Sequence, residues 1–263
     1  MKLEHILLSV DGGIARLRLN RPASLNALSR TLLGEMIAVL DHLSTMPEVR
    51  VLLMSGEGRG FSSGADFSNG SSLAGTPGFD SGAALEQYYN PLMERLFMLP
   101  IPVIAALHGP VAGAGCMIAL AADIVIAARS AYFLQAFVNI GLVPDAGSSW
   151  WLPRLVGPAR ASAMMILGEK IPAEMALEWG MIYGVVNEEE LDAKADTIAM
   201  KLAAGPTRAY GLIKQAARAA LSMSFSEALA NERRNQEVAG NSPDFREGLA
   251  AFREKRKPCF TGQ

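Results

Sequence analysis

The sequence predicts an α/β fold around a largely parallel sheet, and three observations carry that expectation. Three short runs, Val49 to Ser55, Val103 to Leu107 and Asp123 to Ala128, are apolar almost throughout, the pattern of strands covered on both faces. Stretches of helical spacing lie between them. From Glu188 onward helical periods dominate and strand patterns cease.

In chain order, His5 to Val10 and Ile14 to Asn20 alternate apolar and polar residues around Asp11-Gly12-Gly13, which predicts an opening antiparallel hairpin. Ser29 is placed to cap a helix in which Leu32, Leu33, Met36, Ile37, Leu40 and Leu43 recur at helical spacing, with Pro47 beyond its end. The Gly/Ser/Pro-rich segment from Ser68 to Gly82 has little to bury and reads as a mobile surface loop of the kind that gates sites. Ala83 to Leu99 reads as one helix despite Pro91. Further helices are expected over Ala146 to Leu155, Pro158 to Leu167 and Pro172 to Trp179, and a last strand over Ile182 to Val186. Ser224 with Glu227 forms a capping box, and Ser242 with Pro243 opens a final helix.

Half of the 263 residues are hydrophobic, enough for a substantial core, and the formal charge of -2 leaves no basic footprint for nucleic acid. Two cysteines, Cys116 and Cys259, make no disulfide framework. The first residues lack a signal-peptide pattern, and the apolar run from Ile101 to Ala128 is broken by Pro102, Pro110, three glycines, His108 and Asp123, so no membrane span is expected. A cytoplasmic protein is the expectation.

The chemically suggestive stretch is Leu107 to Ala128, where a strand breaks into Gly109, Gly113, Ala114 and Gly115 before an apolar helix. Backbone N–H groups at such a helix start suit a developing negative oxygen. Ala65, in FSSGADF, occupies a similar small-residue turn after a strand. The amides of Ala65 and Ala114 can therefore converge on one carbonyl oxygen and stabilise a thioester enolate, or the small residues serve only tight packing. Asp145, in GLVPDAGSSW, has two readings as well. It is a good helix cap, or, near Phe137, Val143, Trp150 and Trp151, a carboxylate of raised pKa suited to general-base work. GFSSG matches a nucleophile elbow with Ser62 as nucleophile, but no helix follows directly and the only later histidine is His108. AGAGCM lacks the third glycine of a dinucleotide fingerprint, and no Cys/His cluster has metal spacing, so no metal is expected. The FREKRKPCF run reads as a solvated helix end or a phosphate contact.

Together, NRPASLNALS, GEGRGFSSGADF, HGPVAGAGCMIALAADIVIA, GLVPDAGSSWWLPRLVG, ALEWGMIYGVV and AFREKRKPCF closely resemble the crotonase superfamily of enoyl-CoA hydratases and isomerases, over essentially the whole chain. The resemblance implies a crotonase-like spiral of ββα units over residues 1–197, holding the CoA-thioester site. It further implies a helical trimerisation region over residues 198–263, giving a homotrimer or a hexamer of two stacked trimers. It assigns the oxyanion hole to the N–H groups of Ala65 and Ala114, and a CoA site to Ala23, Leu25, Asp66 and Phe67. Lys257 and Phe260 are expected to serve a neighbouring subunit's CoA site. Coenzyme A enters as part of an acyl-CoA substrate, with no prosthetic group.

Hydratases of this family carry one glutamate in the oxyanion-hole helix and another in the following excursion, and the matching residues here are Met117 and Phe137. Neither transfers a proton, so two-acid hydration is disfavoured. Asp145 instead coincides with the acidic position used by isomerase and dehalogenase branches. VPDAG followed by WWLPR, the YYNPL helix and LEWGM look most like the phenylacetate-pathway isomerase branch, which rearranges an aromatic epoxy-CoA and shifts 3-enoyl-CoA double bonds. The expectation is an acyl-CoA isomerase of fatty acid or phenylacetate catabolism with Asp145 as acid/base. The alternatives are an enoyl-CoA hydratase, a dehalogenase or hydrolase using Asp145 as nucleophile, a Ser62 hydrolase and a non-catalytic CoA-thioester binder.

Overall fold

The computed structural model describes residues 2–68, 76 and 80–263. Most of the loop expected between Ser68 and Gly82 lies outside the described residues. The hairpin forms from β1 (Ile6–Asp11) and β2 (Ile14–Leu19), paired antiparallel with Asp11 opposite Ile14. Helix α1 (Arg30–Leu43) follows, and the Leu32 amide donates to the Ser29 hydroxyl at 3.2 Å, as the cap expectation requires. β3 (Val51–Gly56) lies parallel to β2, and β4 (Val103–Leu107) parallel to β3.

Between β3 and β4 the expected single helix is two pieces, a π-helical turn at Leu85–Tyr89 and α2 (Asn90–Met98). Pro91 explains the change of pitch, because it has no N–H to give the carbonyl four residues back and its ring crowds that carbonyl. β5 (Pro110–Ala112) leads directly into α3 (Gly113–Leu120), and β6 (Ile124–Ala128) returns parallel to β4. β7 (Tyr132–Leu134) is followed by α4 (Ser148–Leu167), whose Gly157 leaves helical geometry at φ 79° and ψ 160°. The break falls between the two helices expected there, although the first begins at Ser148 rather than Ala146.

β8 (Lys170–Pro172), α5 (Ala173–Glu178) and β9 (Gly184–Val186) complete the strands. The main sheet has the order β1-β2-β3-β4-β6-β9, parallel except for the hairpin; β5, β7 and β8 form a second sheet. The three-residue strands of that second sheet were not expected, being too short for period-2 alternation to register.

Burial explains why the central strands read as continuous apolar runs. Leu52 and Met54 of β3, with Ala105 of β4 and Ala127 of β6, join the core shared with α1, α2 and α3. Val51, Leu53, Ile104, Ala106 and Ile126 point the other way, against Leu191, Ala195, Ala199 and Ala203 of α6 (Leu191–Ala203). Side chains alternate across the pleat and both faces are covered, so nearly every position is apolar, Ser55 near the end of β3 excepted. Residue 198, where the helical C-terminal region was expected to begin, lies inside α6.

α7 (Thr207–Ala220), α8 (Phe225–Gly240) and α9 (Pro243–Glu254) finish the chain. The Ser224–Glu227 capping box and the Ser242 cap form as expected. Asp123, just before β6, docks α7 by accepting from Lys214 at 2.8 Å, Arg218 at 2.9 Å and the Val103 amide at 2.8 Å. Burial of the Lys214 ammonium pushes its pKa down to about 8.

Candidate active site

Two turns that leave the carboxyl ends of parallel strands meet next to each other. After β3, residues 61–64 run beside β5, with Ser62 bridged to Val111. The Phe61 amide donates to the His108 carbonyl at 2.9 Å and the Ala112 amide to the Ser62 carbonyl at 2.9 Å. Gly64, at φ 93°, is so close to the start of α3 that a Cβ on it would lie 3.0 Å from the Ala112 oxygen. Only glycine combines that backbone conformation with that contact.

On the other side of the segment Leu28 pairs with Ala65. The Leu28 amide donates to the Gly64 carbonyl at 2.8 Å and the Asp66 amide to the Leu28 carbonyl at 3.3 Å. Successive amides of an extended segment point to opposite sides, so the Ala65 N–H faces away from Leu28. α3 begins at Gly113 with no side-chain cap on Ala112, and all eight of its residues are buried. The first-turn amides, Ala114 among them, have no partner within the helix and lie at the positive end of its dipole. The folded chain thus brings the Ala65 and Ala114 turns together in a water-poor setting, where a pair of donors can stabilise one oxyanion.

Ser62 has no part in that chemistry. It is 0% exposed, its Oγ donates to the Asn26 carbonyl at 2.9 Å, and it accepts from the Gly64 amide at 3.2 Å. His108 is engaged elsewhere, its Nε2 lying 2.8 Å from the Gly58 carbonyl. The nucleophile-elbow alternative fails because the hydroxyl is committed to supporting the turn. Gly115 passes over the same serine: a Cβ there would sit 2.6 Å from Ser62 Cβ and Oγ. Gly115→Ala is therefore expected to cost about 1–3 kcal/mol in stability by overpacking and to lower activity through the displaced Ala114 amide; urea unfolding alongside an isomerase assay checks both.

Around this pair, Asn26 organises the turn that contains Ala23 and Leu25. Its side chain is fully buried, accepting from the Arg21 amide at 2.8 Å and donating to the Glu57 and Gly60 carbonyls, each at 2.9 Å. Leu25 and Asn26 are both left-handed, at φ 52° and 54°, and the Leu25 carbonyl accepts from the Ser63 amide at 2.9 Å. Ala23 and Leu25 consequently flank the segment carrying Asp66 and Phe67. The Asp66 carboxylate is occupied by Arg21 at 2.7 Å and by Ser68, which lower its pKa to about 2, the Ser68 bonds most strongly. Phe67 is 54% exposed, open to a ligand.

Lys257 and Phe260 are not brought to this site within the same chain. Arg50, which precedes β3, donates to the Phe260 carbonyl at 3.1 Å. The tail is thereby held near the start of β3 while Ala65 follows its end, a strand of roughly 20 Å at about 3.3 Å per residue. Within the basic run itself, Arg256 is paired with Glu247 and Glu254.

Asp145 does not cap α4. Ala146 at φ 49° and Gly147 at φ 82° turn left-handed after it, so the helix starts at Ser148 and the carboxylate swings off the first-turn amides. Its Oδ1 is buried with no hydrogen-bond partner among the described residues. Desolvation raises the pKa to about 6, because nothing offsets the loss of water around the charged form. Of the apolar neighbours expected from sequence, Val143 is 80% exposed and contributes nothing to that environment. Trp151 lies against Gly147, its Cδ1 3.3 Å from where a Cβ would be. Phe137 is buried, with Cζ 3.9 Å from the equivalent position of Gly113. Met117 is also fully buried, so the two positions flanking the α3 start are apolar.

Sequence reasoning missed Tyr89, Asn26, Gln135 and Ser148. Tyr89, on the π-helical turn, is buried, and its phenol pKa is pushed up by burial first and then by the Asp145 and Asp66 carboxylates. A buried aromatic at helical spacing carries no sign of the carboxylates it will meet. Asn26 and Ser148 stood inside quoted motifs, but their bonds run to distant segments. Among the described residues no group of three or more His, Cys, Asp or Glu is placed to hold a metal ion, and no helix is long and apolar enough to cross a membrane.

Residues 9–263 match the family model described as enoyl-CoA hydratase/isomerase. The 1,2-epoxyphenylacetyl-CoA isomerase of Escherichia coli (strain K12) is 45% identical over 99% of this chain and 100% of its own length. A probable enoyl-CoA hydratase of Rhodobacter capsulatus is 43% identical over the full length of both chains. The crystal structure of an enoyl-CoA hydratase from Bacillus anthracis matches with a TM-score of 0.91 at 32% identity, covering 99% of this chain and 100% of that one. This likeness agrees with the crotonase-like α/β architecture expected from the motifs.

Proposed function

We propose a reaction from the premise that this chain belongs to the enoyl-CoA hydratase/isomerase family, whose enzymes act on CoA thioesters: it is an acyl-CoA isomerase in which Asp145 alone moves the proton. The observation that carries this reading is the unpartnered, buried Asp145 oxygen with its pKa near 6, beside an α3 whose Met117 offers no acid. Such a carboxylate is ionised at neutral pH yet basic enough to accept a proton.

For a 3-enoyl thioester the steps balance without a second acid. The Asp145 carboxylate takes a proton from C2, and the C–H electron pair delocalises onto the thioester oxygen, held by the Ala65 and Ala114 amides. Asp145 then returns that proton at C4, the electron pair flows back, and the double bond lies between C2 and C3. Stabilising the enolate more than the ground-state thioester is what lowers the barrier. In this reading Ala23, Leu25, Asp66 and Phe67 border the CoA, and Lys257 and Phe260 reach a neighbouring subunit's CoA in a trimer or hexamer of cytoplasmic chains. The likeness to a 1,2-epoxyphenylacetyl-CoA isomerase supports an aromatic epoxy-CoA as an equal candidate substrate.

Incubation with a 3-enoyl-CoA, crotonyl-CoA and an aromatic epoxy-CoA, followed by mass and absorbance, tests the proposal. Isomerisation of the first or third with no mass gain on crotonyl-CoA is expected. Addition of water to crotonyl-CoA at a comparable rate overturns it. Single turnover of an aryl-CoA in heavy-oxygen water separates nucleophilic use of Asp145, because that path alone leaves solvent oxygen in the carboxylate.

A further inference from the structure

Gln135, between β7 and the turn at Ala136–Ile140, is 0% exposed. A buried primary amide in apolar surroundings costs free energy unless its donors and acceptor are used. Here they are used along one line. Oε1 accepts from the Ser148 hydroxyl at 3.1 Å, and Nε2 donates to the Met117 sulfur at 3.5 Å. The amide also bonds the neighbouring Cys116 thiol, a contact that opposes the burial raising that thiol's pKa to about 12.

Ser148 holds the other end. Its one hydroxyl proton is shared between two acceptors, Gln135 Oε1 at 3.1 Å and the Asp145 carbonyl at 2.7 Å, and its amide donates to the same carbonyl at 2.9 Å. Two consecutive left-handed residues separate Asp145 from Ser148, one of them the non-glycine Ala146 at φ 49°. A left-handed alanine is strained by roughly 1–2 kcal/mol, so this turn needs outside support to persist. A continuous chain of contacts thus runs from α3, through Met117, Gln135 and Ser148, to the backbone of Asp145.

We propose that Gln135 is a positioning residue that, with Ser148, sets the Asp145 carboxylate at a fixed place relative to the α3 amide of Ala114. The inference rests on the reading of Asp145 as the proton carrier. It concerns geometry: the same helix that presents the oxyanion donor is mechanically linked to the base, so both ends of the enolate are held by one rigid unit. A misplacement of about 1 Å in such a unit lowers turnover by about 10²-fold.

The test uses Gln135→Met, which keeps length and apolar bulk while removing the amide, together with Ser148→Ala and Ser148→Thr. Turnover and KM with a 3-enoyl-CoA, thermal melting, and the carbon-13 titration of the Asp145 carboxyl are read in each. For Gln135→Met and Ser148→Ala the expectation is a kcat loss of about 10²-fold with KM little changed. The Asp145 titration should move down from near 6 as water reaches the loosened turn, and Ser148→Thr should restore both. The double variant should be no slower than the slower single one, because the two residues act as one linkage.

Unchanged titration in both single variants overturns the tether, whatever happens to kcat. A titration that moves while kcat holds leaves the tether standing and removes Asp145 from the chemistry. Losses that simply track the melting temperature, Ser148→Thr included, also overturn the proposal, because they report folding rather than position. If Gln135→Met does not fold, the Ser148 pair decides by the same criteria.

Discussion

Asp145→Asn is expected to abolish isomerisation of a 3-enoyl-CoA, a loss of at least 10²- to about 10⁴-fold in kcat, while binding of the CoA thioester stays nearly intact. Asparagine preserves the shape of the side chain and removes its basicity, and neither Met117 nor Phe137 can replace it. The same change should stabilise the protein at neutral pH. The folded-state pKa is about 6, above the ordinary aspartate value of 3.8. Between those values the native state binds more proton than the unfolded chain, so stability falls as pH rises through this window. Above it the burial of the ionised carboxylate costs at most about 3 kcal/mol, less to the extent that solvent screens its outer oxygen.

Urea midpoints of Asp145→Asn and the parent should therefore coincide below pH about 4 and diverge in favour of Asn above about 6. Activity of the parent should run the opposite way, rising as Asp145 ionises. Full turnover by Asp145→Asn would remove this residue from the mechanism. Parallel denaturation curves at every pH would instead show that its carboxyl is not desolvated in solution.

Ala114→Pro is expected to lower kcat by about 10²- to 10³-fold, the usual effect of deleting one oxyanion donor. Ala114 is the second residue of α3, a first-turn position where a helix spends no hydrogen bond on the amide and tolerates proline. Gly113 precedes it and carries no Cβ to meet the proline ring. The substitution removes the N–H and sets the ring carbons at a position only 2% exposed, so thermal melting is read beside kcat to separate the lost donor from overpacking. Ala114→Gly, which keeps the N–H, serves as the control and should stay within a few-fold of the parent. Equal rates in Ala114→Pro and the parent would show that the Ala114 amide does not touch the reacting oxygen.

Much of the fold was legible because its signals are local. The runs Val51 to Met54 of β3, β4 and β6 are apolar at every position since α6 covers one face and α1 to α3 the other. Ser29, Ser224 and Ser242 announce their helices by side chains that reach only three residues ahead. The break at Gly157 was marked by the glycine and the proline after it. What escaped was either too short, as with β5, β7 and β8, or set by competition, as with the π-helical turn before Pro91.

The candidate site divides along the same line. The residues themselves carried the turns at Ala65 and Ala114 and the carboxylate at Asp145, whereas the resemblance to the crotonase superfamily was what marked Met117 and Phe137 as standing at two glutamate positions. Whether Asp145 capped a helix or stood free was not decidable from its neighbours, because Asp-Ala-Gly suits either. Packing decided it: Ala146 and Gly147 turn left-handed, Ser148 takes over the start of α4, and one oxygen of the carboxylate is left buried without a partner among the described residues. Likewise, nothing near residue 64 in the chain indicates that it will press against the start of α3, or near Gln135 that it will join Met117 to Ser148. Periodicity and capping by themselves determined the elements and the chemical groups available, since each depends on a few adjacent residues. Which groups meet, and which lose their water, was decided only by tertiary structure, since contact and desolvation depend on segments that come together when the chain is packed.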